Sequence, residues 1–97
     1  MNNCKFKVSG IQYDMYMLDN QEMGGNVGLA DFNGQNIRIN TSHTPQTQKI
    51  AKLHEVIHIL DHAYGLKLSE DQTVYLTHAL LSFIIDNQEF TNEHFLS

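Results

Sequence analysis

Residues 4–19, Cys-Lys-Phe-Lys-Val-Ser-Gly-Ile-Gln-Tyr-Asp-Met-Tyr-Met-Leu-Asp, alternate apolar with polar positions over much of their length. A half-buried strand has this period, and the interruption at Gly10 predicts one bent strand or a strand and a short turn. Residues 20–28 contain Asn20, Gly24, Gly25, Asn26 and Gly28, which tolerate positive φ and predict a loop. Two short β-like runs follow, Leu29–Phe32 and Gln35–Asn40. Asn33-Gly34 between them is a strong hairpin signal. The first half therefore reads as a small antiparallel sheet.

From residue 41 the period changes. Ile50, Leu53, Ile57 and Leu60 fall at i, i+3, i+7 and i+10, with Val56 and Ala63 beside them, as on a helix that buries one stripe. Pro45 suits its first turn with Ser42 or Thr44 as cap, and Gly65 ends it. Ser69-Glu70-Asp71-Gln72 has the form of a capping box with acids in the first turn. Val74, Leu76, Ala79, Leu80, Phe83 and Ile84 follow at helical spacing, so a second helix runs to about Asp86. The polar tail from Asn87 to Ser97 carries Phe90, Phe95 and Leu96 without a readable period.

These elements sum to one α+β domain over residues 1–97, because a chain of 97 residues has no room for a second core. An apolar fraction of 41% argues against disorder. A net charge of -5 would repel nucleic acid and anionic lipid, which predicts no nucleic-acid or membrane partner. Cys4 is the single cysteine, so no internal disulfide forms, and it is expected to be a small buried residue. The segment from Met1 to Lys7 lacks the apolar run of a secretory signal, and no window approaches a membrane span. A cytoplasmic location is the expectation.

Six histidines in 97 residues are the unusual number, and His54, His58 and His62 recur at four-residue spacing. His54-Glu55-Val56-Ile57-His58 is an HExxH motif inside the predicted helix, and shuffling this composition would yield it on the order of 0.02 times per chain. Imidazoles at i and i+4 lie on one helical face and converge on a single tetrahedral Zn²⁺. Glu55, about 100° round from His54, reaches water at the metal rather than the metal itself. There it serves as the general base and then the general acid of amide hydrolysis. The apolar stripe is expected on the opposite side of the helix from both histidines. A metzincin is excluded, because Asp61 and Tyr64 stand where that pattern needs Gly and His.

Leu53-His54-Glu55-Val56-Ile57-His58-Ile59-Leu60-Asp61, then Tyr64-Gly65-Leu66-Lys67-Leu68-Ser69-Glu70, then a Leu-rich helix ending in Asp86-Asn87, resembles the small phage-borne members of the ImmA/IrrE family of metallopeptidases. The likeness spans roughly residues 28–88. It implies a zincin-like α+β fold with a short sheet packed on the HExxH helix, and Glu70 as third zinc ligand at the start of the second helix. It also implies a bacterial host cell and a protein substrate such as a transcriptional repressor. This chain departs from larger members in its shorter intervening segment and in Thr73-Val74, where Ala-Asn is typical.

Spacing by itself leaves the third ligand open. A tight helical hairpin about Gly65 would bring His78 level with His58, whereas an extended Leu66–Ser69 would return Glu70 to the site, with Asp71 beside it. His62 lies ~12 Å from His54 along the axis, too far for one tetrahedral ion, and reads as a rim residue. Asp61 reads either as acceptor of a ligating histidine's free N–H or as solvent-exposed. Tyr64 and Tyr75 could donate to an oxyanion, but read better as tyrosines with their bodies in a core and their hydroxyls at the surface. Two functions compete, a zinc endopeptidase using Glu55 and a non-catalytic, zinc-stabilised protein-binding module on the same scaffold, with a zinc-free structural protein third. The sheet edge and tail aromatics could serve a dimer or a peptide that adds a strand.

Overall fold

The computed structural model describes residues 3–97, so Met1 and Asn2 of the segment read above for a signal lie outside it. Strands β1 (Asn3–Val8) and β2 (Ile11–Leu18) form an antiparallel hairpin. Its two-residue turn, Ser9-Gly10, has φ of 52° and 77°, a positive-φ pair that follows the twist of the flanking strands. Where one bent strand or a strand and a short turn was expected, the segment is two strands joined by a turn. Strands β3 (Gly28–Asp31) and β4 (Asn36–Asn40) form the second hairpin around Asn33-Gly34. Its loop is closed by the Gly34 N–H donating to Asp31 Oδ1 at 2.9 Å.

The sheet order is β1-β2-β4-β3, and β2 runs parallel to β4, with Asp14 opposite Asn36 and Leu18 opposite Asn40. The sheet is thus mixed, and the antiparallel expectation fails at its centre. Hairpin signals report sequence neighbours. The β2–β4 pairing is non-local and places Ile37 and Ile39, both 0% exposed, in mid-sheet. Segment 19–27 carries the chain past β4 to the far edge, which leaves β3 as an edge strand.

Asn40 pins that segment. Its fully buried amide donates to Asn20 Oδ1 at 2.8 Å and to the Asn26 carbonyl at 3.0 Å, and accepts from the Ser42 N–H at 2.8 Å. Asn40→Ala would strand these groups, so urea denaturation should show a loss of about 1–3 kcal/mol.

Helix α1 (Pro45–Tyr64) starts at Thr44, whose side chain accepts from the Thr47 N–H, and ends at Gly65 with φ of 62°. Helix α2 (Glu70–Asp86) opens with both hydrogen bonds of the Ser69/Gln72 capping box. The tail forms a third helix, α3 (Gln88–Phe95). Among the described residues the result is an α+β fold of one four-stranded mixed sheet and three helices, none long and apolar enough to cross a membrane.

Two burial expectations change. The core joins Val8, Tyr13, Ile37 and Ile39 of the sheet to Ala51 and Ile59 of α1, with Val56 and Leu60 against it. Of the expected stripe only Ile57 is fully buried, and it stands on the flank of α1 away from that cluster. Helix α1 is buried on two flanks, against the sheet and against α2, and the His54/His58 row occupies the crevice between them. In α2 the fully buried residues are Thr73 and Thr77. Their hydroxyls donate to the Ser69 and Thr73 carbonyls, which lets two small polar side chains pack as apolar ones. Cys4, expected to be buried, is exposed.

Candidate metal centre

The HExxH row sets His54 Nε2 3.1 Å from His58 Nε2. Leu66–Ser69 is non-helical and returns the chain along α1, so that Glu70, the first residue of α2, meets both rings. Glu70 Oε1 lies 3.0 Å from His54 Nε2 and Glu70 Oε2 lies 3.6 Å from His58 Nε2. Asp61, half-buried, accepts the Leu68 N–H through Oδ1 at 3.3 Å, and Gly65 adopts the left-handed conformation. Asp61 therefore shapes the connection that delivers Glu70, a role other than the two expected for it.

The donor set fits a metal ion. Two facing imidazole nitrogens 3.1 Å apart have room for at most one proton between them, and a carboxylate closes the triangle. Tetrahedral ligands 2.0–2.1 Å from zinc stand ~3.3 Å apart, close to the separations found. His54, His58 and Glu70 thus form a group able to hold a metal ion. His78 and Asp71 do not join it. His78 borders a separate cavity with Gln46, Ile50 and Leu81, and Asp71 is exposed in the first turn of α2.

Glu55 shares the groove with these three side chains. The groove, about 400 Å³, is walled by Gly28, Leu29, Ala30 and Phe32 of the β3 edge. A neighbouring space of about 280 Å³, lined by Val27, Gly28, Thr47, Ile50 and Ala51, also reaches His54 and Glu55. Glu55 is 7% exposed. Burial first, and the Glu70 carboxylate second, push its carboxyl up to about 7.

Gly28 is the site residue that sequence reasoning missed. A Cβ there would stand 2.8 Å from Glu55 Oε2 and 3.0 Å from its Cγ, so β3 approaches the carboxylate more closely than a side chain at this position permits unless Glu55 shifts. A glycine at the first position of a strand was the available signal. Gly28→Ala should leave the metal ligands alone and push Glu55 aside. Unchanged bound metal, with a shifted Glu55 side chain in a crystal structure of the variant, is the expected result.

His62 is exposed at the rim, as expected, and stacks on Phe32 with ring centroids 4.3 Å apart. Tyr64 and Tyr75 stay outside the site: the Tyr64 hydroxyl accepts from Ser9 Oγ at 2.5 Å, and both side chains, whose bodies were expected in a core, are exposed. Comparison with family models, curated proteins and solved structures gives no match for this chain.

Proposed function

We propose that the chain is a zinc-dependent endopeptidase with a zincin-like arrangement, akin to the ImmA/IrrE metallopeptidases it resembles. The observation that carries this reading is the convergence of Glu70 on the paired histidine nitrogens, with Glu55 buried in the same groove.

His54, His58 and Glu70 would hold the ion, which supplies Lewis-acid polarisation of a peptide carbonyl and acidification of water. Glu55, as carboxylate, accepts the proton that water loses on attacking the carbonyl carbon, and delivers it to the amide nitrogen as the C–N bond breaks. Its elevated pKa belongs to the metal-free chain, since a nearby cation favours the ionised form. The β3 wall keeps the carboxyl largely buried beside the groove, and the backbone edge of β3 offers an extended peptide a strand to pair with. The substrate is accordingly an unfolded or extended protein segment.

Metal analysis of the purified protein tests the ligand set. About one zinc per chain is expected in the native protein and in His78→Ala, and its loss in His54→Ala, His58→Ala and Glu70→Ala. Stoichiometric zinc in either HExxH histidine variant would end the proposal.

A further inference from the structure

The molecule's charge is unevenly divided. All six Lys and Arg residues lie at or before Lys67, where six acids balance them, so the whole net charge of -5 resides in residues 68–97. That segment is α2 and α3, and among the described residues it also carries eight of the fourteen exposed large apolar side chains. The stripe of α2 that buries Thr73 and Thr77 against α1 continues at helical spacing as Leu80 and Ile84. The first turns of α1, at Gln46 and Ile50, come only as far as a cavity shared with Leu81 and Ile85. Leu80 and Ile84 are left 37% and 45% exposed.

Phe83, Phe90 and Phe95 extend this surface. Their rings meet edge to face, Phe83–Phe90 at 6.2 Å and Phe90–Phe95 at 5.6 Å, while the side chains remain 43%, 47% and 66% exposed. Helix α3 buries none of its residues, and at eight residues it falls below the ~12–15 that an isolated helix needs in water. Asp86, Glu89 and Glu93 are exposed along the same two helices.

We infer that the α2–α3 face is a docking surface for a basic amphipathic helix of a partner protein, its apolar stripe on Leu80, Phe83, Ile84 and Phe90 and its Lys/Arg flanks against Asp86, Glu89 and Glu93. Charge complementarity selects this occupant, because an acidic rim repels nucleic acid, anionic lipid and a second copy carrying the same charge. Area agrees. At about 200 Å² per large side chain, the fractions above leave on the order of 500 Å² of apolar surface, enough for one helix but short of the ~800 Å² each partner contributes to a standard interface. The inference is independent of the metal centre.

The test titrates the isotope-labelled, metal-loaded full chain with a synthetic Leu/Lys helix of about 18 residues, five turns. Two comparison peptides are used: the same pattern with Glu for Lys, and a scramble of identical Leu/Lys composition. The amphipathic Leu/Lys peptide should bind at least about tenfold more tightly than either and shift amides of residues 80–96. Ile84→Asp should remove this binding with the circular dichroism spectrum unchanged. In a second variant, Asp86, Glu89 and Glu93 changed together to Lys should reverse the preference toward the Glu peptide. Equal affinity for the scramble, shifts mapping to the His54 groove, or a native dimer that Ile84→Asp dissolves would each overturn the inference.

Discussion

Glu55→Gln is expected to keep its zinc and lose about 10²–10⁴-fold in peptide hydrolysis, the usual contribution of general acid–base assistance. The amide matches the carboxylate in shape, so it still fits against Gly28, and Glu55 is not one of the three residues that meet around the ion position. What disappears is a group able to take up and release a proton. The measurement follows cleavage of a protein substrate, found by co-expression, with bound metal assayed in parallel. Undiminished cleavage by a zinc-loaded Glu55→Gln chain would refute the mechanism. If the protein is a non-catalytic module instead, the native chain cuts nothing and the substitution leaves partner binding unchanged.

Removal of the metal should have the largest effect on stability. A ligand that binds only the folded chain adds ~4 kcal/mol when present at a thousand times its dissociation constant. Each kcal/mol shifts the melting temperature of a domain this size by ~4–8 °C, so chelation should lower it by roughly 15–30 °C, and His54→Ala should behave like the chelated protein. An unchanged melting curve after verified metal removal would show that the ion does not brace the fold.

The stripped protein carries a further signature. Its Glu55 carboxyl is pushed up to about 7 from an ordinary 4.5, so folding takes up a proton between those values. Glu55's contribution to stability therefore declines as pH rises from about 4.5 to about 7, then levels off. Glu55→Gln should abolish that decline in the chelated chain, as thermal melts at pH 5 and pH 8 would show.

Local signals in the sequence located most of the elements and the His54/His58/Glu70 group. Pro45, Gly65 and the Ser69/Gln72 pair mark helix ends because caps are read within a few residues. The HExxH row follows from helical spacing, and an extended Leu66–Ser69 was already one of two routes to the third ligand. What sequence could not convey was non-local. Nothing near Ile37 states that β4 pairs in parallel with β2. The burial of Thr73 and Thr77 over Leu80 and Ile84 depends on where α1 begins relative to α2, which periodicity within α2 does not encode. Gly28 reads as loop punctuation until the distant Glu55 is placed against it.

The three donors come from one short stretch, His54 to Glu70, whereas the wall behind Glu55 is supplied by a strand folded in from residue 28. Closing the small loop between His58 and Glu70 costs little chain entropy, so bringing the three donors together requires only the helical hairpin. Assembly of the β3 edge is a long-range event with its own free energy of opening. Hydrogen exchange should therefore find a metal-retaining form in which β3 has opened while α1 and the start of α2 stay protected. In that form the three donors still meet, and Glu55 has lost its wall.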